Sequence, residues 1–218
     1  MPDAPLEFGI EPPPELFELA AGMRRIIERM MVIEEPHGEV AAARAAIDAI
    51  AARLDGIGRT GPQARLHPGI EPGSDDHRPY YAGNARRWHY NPVLPPIAFE
   101  DAARGVRGRL TLGLPYEGPP GFAHGGVVAL LLDQMLGQSN LEAGVPAMTG
   151  SLTLRYRRPT PLLRELVVEA DGPERSDDRR CLTRGRVLCD GVVTAEARGL
   201  FVLPTGVVFP SVARPGRS

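Results

Sequence analysis

Lysine is absent from this 218-residue chain: all 25 of its basic residues are arginine. With no side-chain amine, Schiff-base catalysis is excluded, and so is the phosphate-gripping lysine of a Walker-type loop. Cysteine is nearly absent, since Cys181 and Cys189 are the whole complement. They fall eight residues apart in what reads as one strand, roughly 26 Å at strand rise and beyond disulfide reach, so two free thiols are expected. Charge of one sign is also lacking. A formal net charge of -2 and a pI near 6.2 provide no whole-chain field to collect nucleic acid or anionic lipid, and neither is expected as a partner. No apolar run is long enough to span a bilayer, and the segment opening with Met1, Pro2 and Asp3 lacks the basic and apolar regions of a secretory signal. The expectation is a cytoplasmic protein with no membrane partner. The five histidines are scattered, no Cys/His spacing fits zinc, and no glycine-rich dinucleotide or phosphate loop occurs, so no metal and no cofactor is expected.

Proline and glycine, by contrast, are plentiful and divide the chain. After Pro12, Pro13 and Pro14, residues 15–34 place Leu16, Leu19, Met23, Ile26, Ile27 and Met30 at helical spacing. Residues 38–55 repeat the pattern with Val40, Ala43, Ile47, Ile50 and Leu54, and Gly56 stops it. Residues 1–56 therefore predict a helical hairpin, which either adds packing surface or serves assembly or partner binding. A stretch rich in Gly, Pro, Asp and Arg makes 57–89 a linker or mobile loop. The main domain follows at 90–204, with a tail at 205–218.

Within the main domain, a strand is predicted at 106–114, then a turn-rich run from Pro115 to Gly121, then one helix over 124–142 ended by Gly144 and Pro146. Strands at 148–158, 165–170, 182–189 and 192–203 read as an antiparallel meander, and Asp190-Gly191 marks a hairpin between the last two. With Val127, Val128, Leu130, Leu131, Leu132, Met135 and Leu136 the helix is apolar on nearly every side, so burial on all faces is expected. An α+β fold in which a curved antiparallel sheet wraps one central helix meets that demand, and this is the hotdog arrangement.

Four elements carry a more specific likeness: His124-Gly125-Gly126, Asp133 nine residues after the histidine, the strand from Thr149 through Arg158-Pro159, and the closing run from Ala195 to Phe201. Together they resemble the PaaI-like branch of hotdog-fold acyl-CoA thioesterases, within the 4-hydroxybenzoyl-CoA thioesterase superfamily, over about residues 90–204. The resemblance implies hydrolysis of acyl-CoA to free acid and coenzyme A. It casts the Gly125 amide as oxyanion donor, Gly126 as the tight helix entry, and Asp133 as base or nucleophile. It also implies that a hydroxyl, Thr149 or else Ser151, positions the carboxylate or the attacking water; strand parity places both on one face. Some relatives carry an asparagine where this chain has Gly118, which leaves a second carbonyl contact unassigned.

The residues support this chemistry on their own terms. Thioester hydrolysis puts negative charge on the former carbonyl oxygen, and a helix N-terminus offers unpaired N–H groups and a favourable dipole there. Asp133 interrupts an apolar helix, so it serves either as a tuned base or as a structural partner of a neighbouring strand. Gly125 and Asp133 are eight residues apart, roughly 12 Å along one helix. No single thioester touches both unless the helix bends or two chains share each site, so a homodimer, with a tetramer as a further option, is expected. His124 either hydrogen-bonds the substrate carbonyl or the helix entry, or holds the preceding loop. Arg155, Arg157 and Arg158 are candidates to grip coenzyme A phosphates or simply form a solvated strand end. Two other readings remain at this stage: a hotdog enoyl-CoA hydratase or dehydratase, and a non-catalytic acyl-CoA sensor that signals through the N-terminal hairpin.

Overall fold

A computed structural model describes residues 13–57, 88–100, 102, 104–145 and 147–203. Most of the predicted linker and the C-terminal tail lie outside the described residues. Helices α1 (Pro14–Met30) and α2 (Gly38–Leu54) form where the apolar spacing predicts them. Pro14 begins α1 at a position where its missing N–H costs nothing, and the His37 side chain caps α2 by accepting from the Glu39 N–H at 3.2 Å. The two helices differ in attachment. Arg24 of α1 donates to the carbonyls of Leu94 (3.3 Å), Asn91 (3.0 Å) and His89, while Phe17 meets the Tyr90 ring edge-on at 5.8 Å. These contacts fix α1 to the segment that enters the main domain. No residue of α2 is buried.

The main domain is one antiparallel sheet laid over helix α3 (Gly125–Glu142). Its strands are β1 (Ala98–Glu100), β2 (Val106–Thr111), β3 (Met148–Tyr156), β4 (Glu165–Ala170), β5 (Glu174–Arg175), β6 (Arg180–Cys189) and β7 (Val192–Val202). The order is β1-β2-β4-β6-β7-β3, with β5 pairing β6. Two short strands, β1 and β5, escaped the sequence reading, and β2 ends earlier than predicted because Gly113 and Pro115 lead into a 3-10 turn, Leu114–Tyr116. The predicted meander also needs correction: β4, β6 and β7 are consecutive neighbours, but β3 crosses to the far edge and pairs with β7. The connection from β3 to β4 passes over the start of α3, where Ala123 N–H donates to the Thr160 carbonyl at 2.8 Å and Phe122 bridges Pro161.

Alternation along the strands decides what faces the helix. Leu166, Val168 and Ala170 of β4, Cys181 and Val187 of β6, and Ala195, Ala197 and Phe201 of β7 are buried together with Val128, Leu131, Leu132, Met135 and Leu136 of α3. Close approach needs missing side chains: a Cβ on Gly185 would lie 3.0 Å from a Leu136 methyl and 2.7 Å from the Glu169 carbonyl oxygen, and one on Gly199 would lie 3.2 Å from the other Leu136 methyl. The opposite face of the sheet is charged and paired. Arg107 binds Glu100 (3.0 Å) and Glu169 (2.8 Å), Arg109 binds Glu100 and Glu165, and Arg186 binds Glu169 (2.7 Å). Such exposed pairs stabilise little individually, but they mark the side that meets water.

Cys181 and Cys189 both lie on β6 as buried free thiols. Burial pushes the Cys181 thiol up to about 11, and burial followed by the neighbouring Asp190 carboxylate raises Cys189.

The helix differs from expectation in one respect. Among the described residues its cover is incomplete: Gly126 and Leu130 are exposed and Asp133 and Gly137 are half-buried, all on one stripe at i, i+4, i+7 and i+11. Beside that stripe runs β3, a nine-residue strand that among the described residues is paired on one side and largely exposed, with Met148 69% and Tyr156 53% accessible. A long open edge next to a partly exposed helix stripe is the kind of surface that recruits another strand.

Candidate active site

The N-terminus of α3 is held by a dense set of hydrogen bonds. The loop before it is laced to itself: Glu117 bridges Ala123, Gly118 N–H donates to the Phe122 carbonyl at 2.9 Å, and His124 N–H donates to the Tyr116 carbonyl at 2.8 Å. The Glu117 carboxylate accepts from Gly121 N–H at 2.7 Å and so belongs to its own turn. A Cβ at Gly118 would sit 2.7 Å from the His124 Cα, so the position that holds an asparagine in some relatives has no room for a side chain here.

His124 is the N-cap, with φ -61° and ψ 134°, and its Nδ1 accepts from Gly126 N–H at 3.0 Å. Its carbonyl accepts from Val127 (2.9 Å) and Val128 (3.2 Å). A helix begins with four N–H groups that lack intrahelical partners. Three of this helix's first four N–H groups are thus engaged, and only Gly125 N–H has no acceptor among the described residues. Of the sequence readings of His124, the bond to the helix entry is the one the geometry shows. The Tyr156 hydroxyl, at the end of β3, donates to the Gly125 carbonyl at 2.9 Å. Sequence reasoning missed Tyr156, although counting by twos from Leu152 and Leu154 along the helix-facing side of β3 arrives at it.

Asp133 lies on the bare stripe of α3. Thr149 Oγ1 donates to Asp133 Oδ1 at 2.8 Å, and among the described residues no arginine approaches that carboxylate and its Oδ2 has no partner. The pairing with Thr149 rather than Ser151 depends on a β-bulge. Register in the β3–β7 pair shifts between Thr149 and Ser151, so Thr149 stands opposite the buried Phe201 and Ser151 opposite Leu200 on the other face. The expectation that both hydroxyls share a face is therefore wrong: the extra residue, Gly150, breaks the alternation and separates them.

Gly125 and Asp133 sit on one uninterrupted α-helix, so their separation stays at roughly 12 Å. Among the arginines, Arg157 is engaged with Glu196 at 2.5 Å, which holds that carboxyl below the usual range. Arg155 is aligned with Glu196 across the strand pair, and Arg155 and Arg158 have no ion pair among the described residues. A shallow groove of about 250 Å³ lined by Arg107, Arg109, Glu165, Glu169, Leu188 and Asp190 lies on the opposite side of the sheet from α3, and its arginines are already paired. Among the described residues no three His, Cys, Asp or Glu side chains converge on a possible metal position, and no helix is long and apolar enough to cross a membrane.

No protein-family model matches the chain. A solved thioesterase superfamily protein is 28% identical, superposes with a TM-score of 0.69, and is matched over 90% of this chain and 97% of its own. The chain has the hotdog fold of the thioesterase superfamily. Two curated relatives point the same way. This hotdog chain is 43% identical over 58 residues to acyl-coenzyme A thioesterase THEM4 of Mus musculus, which is 27% of this chain and 25% of that protein. It is 33% identical over 91 residues to THEM4 of Xenopus laevis, 40% of each. The match thus spans a quarter to two-fifths of those relatives' length.

Proposed function

We propose that this protein hydrolyses acyl-CoA thioesters, of the kind handled in fatty acid metabolism, to the free acid and coenzyme A, acting in the cytoplasm as a homodimer. The observation that carries the reading is the pair of complementary groups on α3 that stay open among the described residues: the Gly125 N–H, which has no acceptor there, and the Asp133 carboxylate, whose one hydrogen bond there comes from the Thr149 hydroxyl. Because one straight helix keeps them roughly 12 Å apart, each reaction centre takes Gly125 from one copy and the partner subunit's Asp133. The bare α3 stripe and the open β3 edge supply the surface on which a second copy docks about a twofold axis.

In this mechanism the thioester oxygen accepts from Gly125 N–H, strengthened by the helix dipole as charge develops. The partner subunit's Asp133 removes a proton from water as it attacks the carbonyl carbon, or attacks directly and is then released by water. Collapse expels coenzyme A thiolate. A thiol pKa near 8.5 makes that a competent leaving group without a dedicated acid, so side chains and water suffice and no cofactor takes part. Arg155 and Arg158 are available for coenzyme A phosphates. The hydratase alternative is weakened because His124 Nδ1, the nitrogen nearest the glycines, is occupied by the cap.

The test is thiol release from a panel of acyl-CoA esters varying in chain length and including aryl esters. At least one is expected to be turned over with kcat/KM of about 10⁴ M⁻¹s⁻¹ or higher. Binding of the esters without release would mark a sensor instead. Thr149→Val removes the hydrogen bond to Asp133 while keeping the branched shape, and kcat is expected to fall about ten-fold with little change in melting temperature.

A further inference from the structure

Two adjacent glycines pose a problem for the oxyanion site. Glycine lets a substrate approach the backbone, but it is also the most permissive residue, and a Gly-Gly step at a helix start is where fraying is easiest. A donor that must reorganise at the moment of reaction loses most of its value. The peptide unit that joins the two glycines is gripped by side chains at both of its polar groups. The His124 imidazole holds the N–H of Gly126 at 3.0 Å, and the Tyr156 hydroxyl holds the carbonyl of Gly125 at 2.9 Å. Tyr156 also occupies the space that a side chain at 125 would need: a Cβ there would lie 3.3 Å from the Tyr156 hydroxyl and 3.4 Å from the ring carbon that bears it.

We infer that Tyr156 is a positioning residue for the oxyanion donor: it ties the end of β3 to the Gly125–Gly126 peptide unit, so that the adjoining unit, which carries the Gly125 N–H and is held through the His124 carbonyl, turns on a fixed neighbour before substrate arrives. The inference rests on the thioesterase reading for its kinetic consequence, though the restraint itself is a property of the fold. Tyr156 is about half exposed and at the end of an edge strand, so it contributes little to the core, and the loss of one hydroxyl leaves the hydrophobic cluster intact.

Tyr156→Phe keeps the ring and deletes the donor. Two measurements are made on the full chain: steady-state kinetics on the best acyl-CoA ester, and amide hydrogen exchange of peptides covering residues 124–129. The expected result is a kcat about ten-fold lower with KM within two-fold of the parent, and faster exchange confined to that peptide at an unchanged melting temperature. Tyr156→Leu, which also loses the ring, is expected to show the same exchange and an equal or larger kcat loss. Unchanged exchange in Tyr156→Phe, or a raised KM at constant kcat, overturns the inference, and the latter makes Tyr156 a substrate contact. If the parent protein hydrolyses none of the esters, the functional reading fails separately, and the exchange measurement still decides whether the restraint exists.

Discussion

Asp133→Asn is expected to lower kcat on acyl-CoA about 10³-fold, the middle of the range for losing a positioned base, while leaving substrate binding and fold intact. The substitution is nearly isosteric, and an amide oxygen can still accept from Thr149, so the 2.8 Å contact survives with only basicity and nucleophilicity removed. Stability should barely change, because no cation among the described residues is paired with this carboxylate and it is half-buried. Burst kinetics, affinity for a non-hydrolysable acyl-CoA analogue and thermal melting together check the claim. A variant that retains a tenth of the parent rate would remove Asp133 from the reaction.

The second large effect concerns the sharing of sites between subunits. Gly125→Pro deletes one N–H and little else. Residue 125 is the first of α3, where proline is tolerated, and His124 already has the extended φ and ψ that precede a proline. The added ring crowds Tyr156 by a few tenths of an ångström, so Gly125→Ala, which keeps the N–H, serves as the steric control. Alone, Gly125→Pro is expected to lose about 10²-fold in kcat.

Mixed and reassociated with Asp133→Asn in equal amounts, it should recover activity to about a quarter of the parent level. Half of the randomly formed dimers are then heterodimers, and each holds one centre in which neither component is altered and one in which both are. If each centre were confined to one chain, every centre in the mixture would carry a lesion and no activity would return. The readout is thiol release before and after subunit exchange.

Much of the fold could be read from pattern. The β4 limits, the α3 limits to within a residue and the 190–191 hairpin follow from period and turn chemistry, since their interiors alternate or repeat cleanly and glycine or proline ends them. Features that depend on geometry across strands were not legible. A bulge adds a residue without a reliable mark, so the faces of Thr149 and Ser151 were assigned by a parity that Gly150 breaks. The crossing of β3 to β7 is invisible to local periodicity, because a strand's sequence says which face is apolar but not which neighbour it takes. In the site, Asp133 stood out as a charge in an apolar run, and Gly125 as half of a glycine pair. Tyr156 had no such contrast, being an ordinary strand aromatic beside the arginines at 155, 157 and 158. The apolar circumference of α3 predicted burial on all sides, and the exposed stripe shows that this chain's own sheet provides only part of the cover.

The placement of both sulfurs inside β6 has a practical corollary. A colorimetric disulfide reagent added to follow freed coenzyme A meets two buried protein thiols, both raised above the usual range, and Cys181, pushed up to about 11, holds almost no thiolate at neutral pH. The folded protein therefore supplies its own blank, and a slow rise in colour without substrate would report unfolding rather than turnover.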